Sequence, residues 1–411
     1  MTIPKSVKEI LTKIESHGFS AYVVGGCVRD YLMGTKPHDY DIASSASPNE
    51  IKNIFSGFNT VDTGIKHGTI GVVYNRTLYE ITTYRTDGNY SDGRHPDSVS
   101  FVDDVREDLS RRDFTVNAMA ADKDGVILDL FGGENDIESK IIRCVGEPDK
   151  RFCEDALRIM RAMRFSSVLG FRIEEETAES MHKNAYQLEK IAPERIKTET
   201  EKMLAGKALK EVLEEYPDVM GKAIPLTEGK DLSYVSDAMK KAKGSDILSW
   251  AIFISNAVDH DKEKARSLAR YLRLDNKTRI NTEKLIQLIT SPLPDNVRQT
   301  AAFMSEHGDD FSLLLADFIY CDSFITNDKT QRKKAKSFSQ NCKSVLSSEI
   351  PLKLSSLAIR GDDIKKLGCS DGKQIGIILD LLLTGVIQGD IENTRESLSE
   401  YATGLIRQSK Q

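Results

Sequence analysis

No run of roughly eighteen apolar residues occurs in this 411-residue chain, so the sequence offers no evident membrane-spanning helix. The opening residues Met1-Thr-Ile-Pro-Lys5 lack the apolar core of a secretion signal, and the expected location is the cytoplasm. Paired cysteines are missing as well. Cys27, Cys144, Cys153, Cys321, Cys342 and Cys369 stand apart, with no Cys-x-x-Cys and no nearby histidine, which argues against a zinc site or a disulfide framework. There is no excess of positive charge: 57 Lys and Arg against 63 Asp and Glu leave −6, so any contact with nucleic acid must come from local basic patches. Internal repeats and low-complexity tracts are absent too. What remains, 39% hydrophobic and 29% charged, is the composition of a soluble globular protein long enough for two or more domains.

The first 145 residues read as mixed α/β. Strand-like runs are expected at Ala21 to Val24, Tyr40 to Ala43, Thr69 to Tyr74 and Leu78 to Tyr84, the last two joined by a turn at Asn75-Arg76. Ser47-Pro48-Asn49-Glu50 is a capping box that should start a helix running toward Phe55. Beyond Pro148 helical periodicity takes over, with segments expected over Phe152 to Leu169, Thr177 to Leu188, Pro193 to Leu204, Ala238 to Val258 and Lys262 to Leu274. The basic stretch Lys329, Arg332, Lys333, Lys334 and Lys336 is read first as a solvated helix face or loop, with a phosphate-contacting patch as the alternative.

Two carboxylates mark the chemistry. Asp39 and Asp41 begin thirteen residues after the glycine pair in Val24-Gly25-Gly26-Cys27-Val28-Arg29-Asp30. A strand that meets two glycines and then a helix brings backbone N–H groups close to an anion, and side chains two apart on a strand share a face. Two such carboxylates need neutralising, and Mg²⁺, which takes carboxylates together with substrate phosphates, is the natural counterion. The glycine pair lacks both the Gly-x-Gly-x-x-Gly spacing of a dinucleotide fold and the Gly-Lys-Ser/Thr ending of a P-loop. A lone Asp-x-Asp is more often a solvated turn than a metal site.

A second cluster runs Glu154-Asp-Ala-Leu-Arg158-Ile-Met-Arg161-Ala-Met-Arg164-Phe165. Asp155 and Arg158 are expected three apart on one helix face, and in isolation an ordinary ion pair explains them. Beside a nucleotide they acquire another meaning. Cytosine and adenine present an amino donor next to a ring-nitrogen acceptor; a carboxylate only accepts and a guanidinium only donates, so this pair suits C or A and opposes G or U. In the third cluster, Arg111-Arg-Asp-Phe-Thr-Val-Asn117, one arginine is expected to grip a triphosphate while the other pairs with an acid such as Asp113. Arg29 is placed for the same phosphate duty. Glu80 is read either as a third carboxylate or as a structural acid, and His260-Asp261, without further ligands, as no metal site.

These motifs, in this order and joined by Asp129-Leu-Phe-Gly-Gly133, resemble those of class II tRNA nucleotidyltransferases, the CCA-adding enzymes and their bacterial poly(A) polymerase relatives. The resemblance spans residues 20 to 165 and implies an α+β architecture: a polymerase-β-like head with a mixed sheet at 1–145, then an all-α neck at 146–206, body at 207–290 and tail at 291–411. By it, Asp39 and Asp41 bind Mg²⁺, Gly26, Arg29 and Arg112 contact the nucleotide, Asp155 and Arg158 read the base, and Arg161 and Arg164 complete the pocket. The implied reaction adds CCA to tRNA without a template, using CTP and ATP; an A-adding enzyme or poly(A) polymerase is the alternative. Family members also resemble one another in a loop, here Arg85 to Pro96, whose presence argues against CC-only addition. Cys27, where many relatives carry Ala, is a mild departure. No membrane partner is implied, and a homodimer is left open.

Overall fold

In the computed structural model the described residues are 1–62, 64–65, 68–88, 99–242 and 244–408. Two compact units divide the chain, Met1–Ser233 and Tyr234–Gln411.

The first unit is built on a seven-stranded mixed sheet. Its chain order is α1 (Lys5–Glu15), β1 (Ala21–Val24), α2 (Gly26–Leu32), β2 (Ile42–Ser44), α3 (Pro48–Ile54), β3 (Asn59–Val61), β4 (Thr69–Tyr74) and β5 (Thr77–Thr83). There follow β6 (Arg85–Asp87), β7 (Val99–Phe101), α4 (Val105–Ser110), β8 (Met119–Ala121), β9 (Ile127–Asp129) and α5 (Gly133–Ser139). Across the sheet the order is β3-β4-β5-β2-β1-β8-β9, with β2 and β5 parallel and the other pairs antiparallel. β6 and β7 pair separately.

Sequence logic accounts for much of this. Asn75 and Arg76 both take positive φ, 49° and 65°, closing a two-residue hairpin between Tyr74 and Thr77. Ser47 and Glu50 form the expected capping box at the start of α3. Val24, Ala43 and Ala120 on one face of the sheet pack against Val105 and Leu109 of α4 and the fully buried Tyr84. α1 buries Val7, Ile10, Leu11 and Ile14 at helical spacing; each such side chain contributes roughly 1.5–3 kcal/mol relative to exposure. β2 starts later than expected, at Ile42 rather than Tyr40, four residues beyond a bend at His38. The loop expected from Arg85 to Pro96 begins with β6; its residues 89–96 lie outside the described residues.

Helices then dominate: α6 (Pro148–Glu154), α7 (Leu157–Leu169), α8 (Glu175–Asn184), α9 (Pro193–Leu204), α10 (Leu209–Glu215) and α11 (Pro217–Ala223). β10 (Ile141–Ile142) and β11 (Arg172–Ile173) form a short parallel pair, so strand structure persists a little beyond Pro148. The helix expected over Phe152 to Leu169 is two helices. Asp155, at φ −143° and ψ 103°, breaks it, and its carboxylate accepts the Leu157 N–H at 3.0 Å to restart the next helix.

The second unit is all helical: α12 (Ser236–Met239), α13 (Asp246–Ala257), α14 (Lys262–Tyr271), α15 (Asn276–Leu288), α16 (Val297–His307), α17 (Asp309–Asp322), α18 (Lys329–Leu346), α19 (Gly361–Lys366), α20 (Gly372–Gln388) and α21 (Arg395–Gln408). The helix expected from Ala238 to Val258 is two, α12 ending at Met239 and α13 beginning at Asp246. α13 is buried on nearly all sides, with Trp250 and Phe253 edge to face at its centre. The basic stretch is the exposed start of α18, where Arg332 stacks on Phe324 at 3.7 Å. Asp261 caps α14 through the N–H groups of Glu263 and Lys264, so His260-Asp261 is a helix start. Among the described residues no helix is long and apolar enough to cross a membrane.

Candidate active site

The glycine turn has a specific steric reason. Gly25 sits between β1 and α2 at φ 78°, and a Cβ there would lie 2.8 Å from Arg112 Nη1. Its N–H donates to the Met119 carbonyl and its own carbonyl accepts from Val28 and Arg29. The turn is thereby fixed beside an arginine that only a glycine lets approach. Asp129 caps α5 with N–H bonds from Gly133 and Glu134, both 2.9 Å, which explains the acid ahead of the second glycine pair.

Asp41 continues β2 backward: its carbonyl accepts the Val24 N–H at 2.9 Å although neither Asp39 nor Asp41 is inside the strand. Both are exposed at residue level, yet enough protein crowds Asp41 that burial pushes its carboxyl above the ordinary range. Arg112 opposes that rise and Asp39 adds to it. Neither acid has an ion pair among the described residues. Glu80, on β5, lines a recess with Asp39 and Asp41, but no group of three or more acidic, His or Cys side chains able to hold a metal occurs among the described residues.

An open pocket of about 550 Å³ gathers most of the expected residues: Gly26, Arg29, Asp41, Arg112, Asp155, Arg158, Arg161 and Arg164 all line it. Asp39 stands on the neighbouring recess, with Asp41 common to both. The ring of Phe165 is the hub. Guanidinium carbons of Arg164, Arg29 and Arg161 lie 4.0, 5.4 and 5.4 Å from its centroid, a geometry in which the ring face attracts each cation.

Pairing within the pocket departs from the sequence expectations. Arg111 and Arg112 do not divide their duties. Both bind the buried Asp108, at 2.7 and 3.3 Å. Burial alone would raise that carboxyl; the two arginines override it and hold it below its ordinary value. Asp113 belongs instead to Arg161, which donates from Nε at 2.7 Å, and there too the cation outweighs burial and lowers the carboxyl. Asn117 links this pair to Arg29, accepting from its Nη1 at 2.6 Å and donating toward Asp113 at 3.4 Å.

Asp155 and Arg158 form no ion pair with each other, because the break at Asp155 separates them from one helix face. Arg158 donates to Glu154 at 2.6 Å and to the carbonyls of Arg151 and Arg111, both 3.1 Å. Asp155 receives Arg195 from α9, at 2.7 and 3.3 Å. One turn further along α9, Glu199 faces Arg164 at 3.0 Å and Arg161 at 3.8 Å. Arg195 and Glu199 carried no expectation; their i,i+4 spacing behind Pro193 was the available signal, and it named no partner.

A mixed sheet that ends in a glycine turn, two acids beside it and a pocket of arginines beyond define a nucleotidyltransferase. Residues 21–143 match the Poly A polymerase head domain, 170–216 the segment described as the probable RNA and SrmB binding site of polymerase A, and 244–402 the domain described as tRNA nucleotidyltransferase domain 2. The CCA-adding enzyme of Leuconostoc mesenteroides is 38% identical over 96% of this chain and 94% of its own length. That of Ligilactobacillus salivarius is 38% identical over 98% and 97%. The crystal structure of the Bacillus stearothermophilus CCA-adding enzyme in complex with CTP superposes with a TM-score of 0.80 at 30% identity, covering 100% of this chain and 99% of that one. The chain belongs to the family of CCA-adding enzymes.

Proposed function

We propose that this chain adds C, C and A in turn to the 3′ end of tRNA, from CTP and ATP, with release of pyrophosphate and no nucleic-acid template. The observation that carries the proposal is the shared pocket: Asp155 and Arg158 line the same cavity as the glycine turn, Asp41 and the arginines. Arg158 has five N–H donors and uses three on the protein, which leaves two for a base. Asp155 keeps acceptor capacity beyond the bonds from Leu157 and Arg195. Donor and acceptor together match the edge that C and A have in common, and the protein serves as template.

In the proposed reaction the tRNA 3′-hydroxyl attacks the α-phosphate in line and pyrophosphate departs. Arg29 and Arg112, steadied by Asp30 and Asp108, neutralise the triphosphate. Asp39 and Asp41 fit a Mg²⁺ site, because the crowded, upward-shifted Asp41 stands beside a second acid and is only partly offset by Arg112. Bound there, Mg²⁺ would supply positive charge for the phosphate and a lower pKa for the hydroxyl. Arg195 and Glu199 act as positioning residues for Asp155 and for the two arginines they touch. Phe165 adds a ring-face contact to three arginines that Asp30, Asn117, Asp113 and Glu199 also hold.

The same reading includes the fourfold division at 145, 206 and 290, a cytoplasmic location, and recognition of the tRNA acceptor end by shape and phosphate contacts. It is tested by incubating the RNA-free chain with a tRNA transcript lacking its terminal CCA, and with CTP and ATP separately and together. Successive incorporation of C, C and A is expected. Incorporation of A alone onto a CC-ending transcript would make the chain an A-adding enzyme instead. Asp39→Ala and Asp41→Ala should abolish incorporation and leave tRNA binding in place; a fully active variant would overturn the metal assignment.

A further inference from the structure

The C-terminal unit contains a cavity of about 430 Å³ lined wholly by its own residues. On its wall is Asp322, the last residue of α17, only 3% exposed. The Asp322 Oδ1 atom meets no hydrogen-bond donor among the described residues, an arrangement that is unfavourable for a buried carboxyl. Burial pushes this carboxyl upward, an effect tempered by His260 and by the Asn256 amide. The His260 ring is already engaged, Nδ1 lying 2.6 Å from Ser255 Oγ.

Other charges around the cavity tell which ligand would relieve Asp322. Asp328 lines it too and caps α18 with one oxygen, taking the N–H groups of Thr330 and Gln331 at 2.8 and 2.9 Å. The positive end of that helix is therefore already neutralised. α15 and α17 both end at the cavity, bringing C-terminal partial negative charge with them. Lys334 reaches the rim from an exposed position, where its ammonium remains in water. Ile289, Pro292, Leu293 and Ile319 supply apolar wall. The acids and His260 do not make a set of three metal-binding groups, so a hard divalent cation is not favoured.

We propose that this cavity binds an aliphatic diamine or polyamine, with an ammonium group against Asp322 and the methylene stem along Ile289, Pro292 and Leu293. An ammonium group against Asp322 supplies the N–H donors that its unpaired oxygen lacks. The site lies outside the residues assigned to nucleotide transfer.

Titration calorimetry of the RNA-free full chain with 1,4-diaminobutane at fixed ionic strength tests the proposal. One saturable site is expected, at least about tenfold weaker in Asp322→Asn, which keeps shape and removes charge. Thr290→Trp, a change at the exposed mouth, should weaken binding equally and provides the reading if Asp322→Asn does not fold. Tetramethylammonium, a cation without N–H donors, should not compete. Absence of saturable binding, unchanged affinity in both variants, or equal competition by Mg²⁺ would each overturn the proposal.

Discussion

Replacing Arg195 with Ala separates two accounts of Asp155, the carboxylate proposed to read the base. Arg195 holds Asp155 with one bond of 2.7 Å and one of 3.3 Å, between side chains 21% and 16% exposed. A hydrogen bond to a charged group contributes about 1.5–3 kcal/mol. Partial solvent access and the Leu157 N–H that still holds Asp155 place this one near the lower end, at about 1.5–2 kcal/mol. If Asp155 must be held still to accept from the base, Arg195→Ala should lower kcat/KM by roughly 10- to 30-fold. The loss should be equal for CTP and ATP, since both bases use the same acceptor. Single-nucleotide incorporation on transcripts ending one residue short gives kcat/KM for each, below the unfolding temperature of the variant. Arg195→Lys should recover part of the loss. A gain in activity would mean that Arg195 occupies Asp155 and must be displaced; a loss confined to one nucleotide would refute a common acceptor.

Gly25→Ala forces a side chain into a left-handed backbone and within 2.8 Å of Arg112. Binding of both nucleotides should weaken by at least tenfold, measured by calorimetry, with a destabilisation of about 1–2 kcal/mol on thermal unfolding. Asp108 and Asp113 titrate below their ordinary value of 3.8 in the folded chain. Their stabilising contribution is therefore complete above that value and lost as pH falls through the lower folded one; Asp113→Asn should flatten the acid side of a melting-temperature profile, and an unchanged profile would contradict the assignment. Deleting residues within 89–96 should depress A addition far more than C addition, and equal loss of both would refute a specific part for that loop in adding A.

The residues that line the arginine pocket and its neighbouring recess were legible because each carries chemistry at fixed spacing: acids two apart, glycines at a strand end, arginines along a helix. Their partners were not. An ion pair between Asp155 and Arg158 follows from helical periodicity, and Phe152 to Leu169 holds no glycine or proline to announce the break that prevents it. Asp155 itself makes the break, acting as an N-terminal cap in the middle of an apparently continuous helix. Arg111 and Arg112 could not be assigned to Asp108 rather than Asp113, since both acids lie within a few residues and only the fold decides. Arg195 is forty residues from Asp155. No local pattern spans that distance. The cavity at Asp322 left no trace in the sequence at all, being made by helix ends that meet only in three dimensions.

The position of β1 in the interior of the sheet has a consequence for how the molecule is made. β1 pairs with β2 almost at once, through Ala21 and Ser44, but its other edge waits for Ala120 and Ala121. Asp155 waits longer still, until Arg195 emerges. During synthesis, with domains folding from the N-terminus onward, Arg29, Asp39, Asp41 and Arg112 emerge before Asp155 gains its anchor in Arg195. On the proposed roles, a chain halted between α7 and α9 would hold a triphosphate without the means to choose among its bases, and discrimination would be the last property this half of the protein acquires.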